Sequence, residues 1–140
     1  MRSPTERQLQ SFFSSHMVEG VLSAYLFGSH VTSREHRQSD VDVGMLVDRS
    51  VYSSRRDRDH LRVTLGADLM RALQRNEVDL VCLQDVPAEL GRRVVTEGRR
   101  VFCADPLADM AFVRDVQLRA ADLDPFLRKM RALTLQAIRR

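Results

Sequence analysis

Apolar and polar positions along the chain follow two periods, and these divide it into helices and strands. Near the start, Leu9, Phe12, Phe13, His16 and Met17 recur at helical spacing. Ser3, Pro4 and Glu6 ahead of them form a capping box with proline at the first helical position. Gly20 is the expected stop. Val21–Phe27 is a short apolar run, predicted to be a buried strand that ends at Gly28-Ser29. The polar stretch over residues 30–38 predicts a loop or a short irregular helix. A second strand is expected over residues 39–47, bounded by Asp48-Arg49-Ser50. From about Ser53 to Gln74 the leucines at 61, 65, 69 and 73 fall four apart and predict a helix with one buried stripe. A third strand is expected over residues 77–83. It is apolar on both faces except at Asp79, a pattern that places it centrally in a sheet. Pro87 starts a short helix that Gly98 ends, residues 100–103 form a small fourth strand, and Pro106 opens another helix. Asp124-Pro125 is expected to break that helix and cap a last one, lined on one side by Phe126, Met130, Leu133 and Ala137. The succession predicts an α/β (α+β) fold: a small sheet, helices packed on it, and C-terminal helices over about residues 106–138.

With 140 residues the chain is expected to form one domain with one core. There is no run of about eighteen apolar residues, so no membrane span is expected. The N-terminus lacks the apolar segment of a secretory signal. Cys82 and Cys103 sit in apolar strand-like runs without metal-ligand spacing, and read as reduced thiols of a cytoplasmic protein. The net charge is +3, from 22 basic and 19 acidic residues, and Lys129 is the one lysine among arginines. An excess this small, spread along the chain, reads as a solvated arginine-rich surface rather than a nucleic-acid footprint.

The stretch that carries chemistry is Gly28-Ser29, a gap of ten residues, then Asp40-Val41-Asp42. Two residues apart on a strand, Asp40 and Asp42 share a face, about 7 Å apart at the backbone. Carboxylates so placed converge on hard cations, and Mg²⁺ prefers carboxylate oxygens, waters and phosphates. Asp79, in an apolar strand, is expected to be a buried carboxylate, costly unless paired or bound to metal. Brought beside Asp40 and Asp42, it would complete a site whose charge cations must balance. Gly28 lets the backbone approach a ligand closely. The N–H groups that follow, with the Ser29 hydroxyl, suit phosphate oxygens. His30 is a candidate phosphate or ribose contact by adjacency. Together the pieces describe two-metal phosphoryl or nucleotidyl transfer.

On these residues the chain resembles the DNA polymerase beta-type nucleotidyltransferase superfamily, and in length its minimal nucleotidyltransferase (MNT) branch. The tail from Phe112 to Leu133 is similar to the C-terminal helices of MntA-type antitoxins. The resemblance implies a small mixed sheet of about four strands in a single minimal nucleotidyltransferase domain over residues 1–140, with residues 106–138 partly for docking. It implies phosphate binding by Gly28 and Ser29, metal binding by Asp40 and Asp42, and a third carboxylate in Asp79. It implies two Mg²⁺ ions, ATP as co-substrate, and a HEPN-domain RNase toxin (HepT-like) as partner in a hetero-oligomer. The toxin would be neutralised by transfer of AMP to a tyrosine. One departure stands out: Val31-Thr32-Ser33 occupies the place of the family's common Ala-Arg-Gly. The loop therefore lacks the usual basic triphosphate contact unless His30, Arg34 or Arg37 supplies it.

Other features read as structural. His16, His30, His36 and His60 show no metal spacing, and His16 is expected at the edge of the core. The mixed-sign run Arg55, Arg56, Asp57, Arg58, Asp59 reads as a solvated helix start. Tyr25 is expected in the core, and Tyr52 as a loop tyrosine with an exposed hydroxyl. Two other functions share the same site: nucleotidyl transfer to a small molecule, as in aminoglycoside-type enzymes, and an antitoxin acting by binding alone.

Overall fold

The computed structural model describes residues 2–28 and 41–139, with the backbone alone for residues 122–127 and 139. In chain order its elements are α1 (Pro4–His16), β1 (Val21–Phe27), β2 (Val41–Val47), α2 (Arg55–Leu73), β3 (Val78–Cys82), α3 (Ala88–Glu97), β4 (Arg99–Cys103) and α4 (Pro106–Arg139). The loop expected over residues 30–38 lies outside the described residues.

The four strands form one mixed sheet in the order β3-β2-β1-β4. β1 runs antiparallel to both β2 and β4, whereas β2 and β3 are parallel. Side chains alternate between the two faces. Val41, Val43, Met45 and Val47 of β2 enter a core with Leu9, Phe12 and Phe13 of α1 and the leucine stripe of α2. The opposite face carries Tyr25, Leu46 and Leu83, covered by Val94 of α3 and Phe112 of α4. Helices thus cover both faces.

Local chemistry sets the helix starts. The Ser3 hydroxyl accepts from the Glu6 amide at 3.2 Å, and the Ser54 hydroxyl accepts from the Asp57 amide at 3.0 Å. α1 stops at His16, earlier than Gly20, because Met17 itself takes the left-handed C-cap conformation, with φ 42°. His16 is exposed, its ring stacked on Phe12 at 4.1 Å.

Three expectations are corrected. β3 is an edge strand of the described sheet, not a central one. Its apolar residues on both faces report helices on both faces, which is a different matter from strand order. Asp79 is accordingly exposed, because it precedes Leu80–Cys82 and lies beyond the helical cover. α4 runs unbroken through Asp124-Pro125. Proline forfeits one backbone donor there, but strong helix formers stand on either side, from Arg119 to Ala121 and from Leu127 to Leu133.

Arg58 is buried rather than solvated. Its Nε and Nη2 donate to the two Asp85 carboxylate oxygens at 2.8 and 3.0 Å, and Nη1 donates to the Tyr52 carbonyl at 3.0 Å. This fork holds the Asp85 carboxyl below the usual carboxylate range and ties the start of α2 to the end of β3. The Tyr52 hydroxyl is engaged, donating to the Glu19 carbonyl at 2.6 Å. Tyr25 is in the core, as expected. Its hydroxyl donates to Asp109 Oδ1 at 2.6 Å, while Arg100 Nη1 donates to Oδ2 at 2.9 Å. Burial first, then the Asp109 carboxylate, pushes the Tyr25 phenol up. The trio pins the first turn of α4 to β1 and β4.

Candidate active site

Strand register assembles the site. Phe27 of β1 is the partner of Asp42 of β2, and Asp42 is the partner of Asp79 of β3. Directly paired residues on neighbouring strands project to the same face. Phe27, Asp42 and Asp79 therefore form a row across three strands, with neighbouring strands about 4.8 Å apart. The row lies where β1 ends and β2 and β3 begin, on the face that also carries α3 and α4.

Gly28 closes the row on the β1 side. Its φ is 81°, in the left-handed region. A Cβ built there would collide with Oδ2 of Asp42 and lie 3.2 Å from its Cγ. The glycine thus lets the backbone at the end of β1 come against the Asp42 carboxylate. Ser29, His30 and Asp40 themselves lie outside the described residues, as do Arg34 and Arg37.

Three of the six candidate residues, Gly28, Asp42 and Asp79, are thus brought together. Among the described residues no cluster of three or more His, Cys, Asp or Glu side chains forms. The pair that does form fits a metal of the hard class. It consists of two carboxylates on one face of adjacent strands, with Asp79 exposed at the sheet edge. That leaves room for waters and substrate phosphates, which Mg²⁺ takes alongside one or two carboxylates.

The sequence reading missed what lies on the other side of Gly28. A cavity of about 330 Å³ opens between the end of β1 and α3, lined by Phe27, Gly28, Leu90, Arg93, Val94 and Glu97. It exists because Gly98 allows close approach. A Cβ at Gly98 would lie 2.9 Å from the Leu26 carbonyl oxygen and would strike that of Val94. The chain leaving α3 therefore returns tightly against β1. The visible signal was Arg93 and Glu97 at i, i+4 on a short helix, which alone reads as a surface ion pair.

A mixed sheet carrying paired aspartates at the start of two parallel strands, with a glycine closing over one of them, is a nucleotidyl-transfer framework. The chain belongs to the polymerase beta nucleotidyltransferase family, whose pattern matches residues 7–107. It is 34% identical over 78 residues to Protein adenylyltransferase MntA of Shewanella oneidensis, a match covering 56% of this chain and 51% of that protein. The match thus spans about half the length of the curated relative.

Among solved structures, a toxin–antitoxin crystal structure with AMP-PNP superposes with a TM-score of 0.70 at 24% identity, covering 93% of this chain and 98% of the other. A tri-AMPylated Shewanella oneidensis HEPN toxin in complex with MNT antitoxin gives 0.65 at 21% identity, covering 96% and 99%. At these identities the superpositions show a shared fold. No helix among the described residues is long and apolar enough to cross a membrane.

Proposed function

We propose that this chain is an antitoxin nucleotidyltransferase that transfers AMP from ATP to a tyrosine of a cognate HEPN-domain toxin, neutralising it. The observation that carries the reading is the alignment of Asp42 with Asp79 beside the left-handed Gly28. Family membership supports the reaction class. The 34% identity to a protein adenylyltransferase, and the likeness to antitoxins solved with their HEPN toxins, support a protein acceptor.

In this reading residues 1–140 act as one minimal nucleotidyltransferase domain in the cytoplasm, where Cys82 and Cys103 remain free thiols. Gly28, Ser29 and His30 hold the triphosphate through backbone N–H groups, the hydroxyl and the ring. Asp40, Asp42 and Asp79 would hold two Mg²⁺ ions, whose charge would neutralise the phosphates and the transition state. The chain's own residues do the rest. Asp42, set by Gly28, would hold its metal at the start of β2, where that ion's charge would let the α-phosphate come up to the carboxylate. Asp79, at the exposed edge, faces the arriving partner, and its carboxylate accepts the tyrosine hydroxyl proton. The phenolate oxygen forms the new bond to the α-phosphorus as the bond to the bridging oxygen breaks. Pyrophosphate leaves on the opposite side. Positioning and charge neutralisation supply most of the rate. The exposed Met130, Leu133 and Ile138 of α4 offer the partner an apolar surface.

The test is transfer of labelled AMP from ATP to the co-purified HEPN partner. Asp40→Asn with Asp42→Asn should abolish labelling while leaving the melting curve in place. Undiminished labelling by the double variant refutes the mechanism. Full rescue of toxin-expressing cells by an unlabelling variant favours neutralisation by binding alone, the reading that the Val31-Thr32-Ser33 departure supports.

A further inference from the structure

The two edges of the sheet are built differently. β4 carries Arg99 and Arg100, and its register with β1 shifts between Ala24 and Tyr25. Charge and irregular register blunt an edge against further pairing. β3 runs beside β2 without a shift over Val78–Cys82, and no strand lies outside it among the described residues. It has no proline and no lysine, and its one charge is Asp79 of the candidate site. A regular edge of this kind is a template for another strand. We propose that the outer edge of β3 takes an extended segment of the protein acceptor as an added antiparallel strand, with the acceptor tyrosine opposite Asp79. The inference rests on the transfer reading and adds to it how the acceptor is held.

The pairing of β3 with β2 fixes which backbone groups face the edge. The Leu83 amide donates to the Met45 carbonyl at 2.9 Å. Backbone groups alternate sides along a paired strand, so Asp79, Val81 and Leu83 turn theirs to β2, and Val78 and Leu80 turn theirs outward. An extended segment meets both outward residues with its own N–H and C=O groups. A helical segment spends those groups on itself and leaves the edge unpaired. Asp79 stands between the two outward residues and is exposed. The residue opposite it in the added strand therefore falls in a non-hydrogen-bonded pair, with Cα atoms about 4.5 Å apart and side chains at their closest. A tyrosine there continues the row of Asp42 and Asp79 on the same face.

The direction of the chemistry agrees. In-line displacement sets the attacking oxygen opposite the leaving group. In the proposed function Gly28, at the end of β1, lies on the pyrophosphate side. The strand order β3-β2-β1 then brings the acceptor oxygen in over β3. Val81, apolar and half-buried, shares the face of Asp79. The acceptor residue two positions from the tyrosine lies opposite Val81 and should be apolar.

Two measurements test the edge. Val78→Pro removes an outward donor at the first residue of the strand, where proline is tolerated, and Val78→Ala trims the side chain but keeps the donor. With both variants folded in thermal melts, Val78→Pro should show a KM for the HEPN acceptor about tenfold above that of Val78→Ala, with kcat within about twofold. Equal KM values overturn the proposal and spare the transfer reading. Residue-resolved amide exchange on the wild-type chain needs no variant, and it decides alone if Val78→Pro does not fold. In complex with the HEPN partner, the Val78 and Leu80 amides should slow at least about tenfold, and those of Asp79 and Val81, already bonded to β2, should change far less. Uniform slowing, or none at Val78 and Leu80, overturns the proposal. Wild-type protein that shows the alternating protection but labels no partner supports the edge interface and refutes the transfer reading.

Discussion

Gly20 and Gly28 share a left-handed backbone, φ 83° and 81°, but they differ in what an added methyl would strike. Alanine at either position carries about 1–2 kcal/mol of backbone strain. At Gly20 the new Cβ would lie 2.5 Å from Cε2 of Tyr52 and 3.1 Å from Cγ1 of Val51. That ring cannot swing freely, because its hydroxyl is bonded to the Glu19 carbonyl at 2.6 Å. Overpacking adds about 1–3 kcal/mol, so Gly20→Ala should cost about 2–5 kcal/mol in all. At Gly28 the methyl would strike the Asp42 carboxylate, which is the mobile end of a side chain and rotates away. Stability should then fall mainly by the strain, about 1–2 kcal/mol, together with whatever contact the carboxylate gives up. The group displaced, however, is a metal ligand of the reacting centre in the proposed function, and a misplacement of about 1 Å costs about a hundredfold in rate. The two variants should therefore cross. Gly20→Ala has the lower melting temperature and near-normal turnover per folded molecule. Gly28→Ala melts closer to wild type but transfers AMP about a hundredfold more slowly. Urea denaturation and AMP transfer to the toxin, measured at a temperature where both variants are folded, decide the matter. A Gly28→Ala protein within about threefold of the wild-type rate would refute the placement of Asp42 in the reacting centre.

Two further outcomes concern the scaffold. Arg58→Met leaves the Asp85 carboxylate without its forked partner and should lower Tm by about 5–10 °C in a thermal melt. The Arg58 hydrogen bond lowers the Asp85 carboxyl's folded value below its unfolded one. This stabilisation is complete above the ordinary carboxyl value, about 3.9, and is lost as pH falls through the folded value. The gap between wild type and Arg58→Met should therefore close in melts below about pH 4, and a gap that widens there would contradict the pairing. Gly66 lies within α2, and a Cβ there would meet no atom within 4 Å. Gly66→Ala should raise stability by about 0.5–1 kcal/mol in urea titrations, and a loss would show that the space around it is not open.

Local signals in the chain determined much of this protein. The Ser3 and Ser54 caps, the leucines of α2 and the alternating residues of β2 state their elements directly, because helix and strand periods are properties of neighbouring residues. Gly28 and Asp42 were legible for the same reason, as a strand end and a strand start bearing distinctive chemistry. Apolar residues on both faces of β3 signalled helical cover but not its place in the sheet, since burial of a face is silent about which strand lies alongside. The edge position, the exposure of Asp79 and its parallel register with Asp42 were decided by which long-range packing buries the most apolar surface. The same holds for the Arg58–Asp85 fork, formed across 27 positions, and for α4, which continues through Pro125 despite a local stop signal. The cavity between β1 and α3 is tertiary in the fullest sense. It arises where two backbones meet at Gly98, and no pattern within either segment encodes the space left between them.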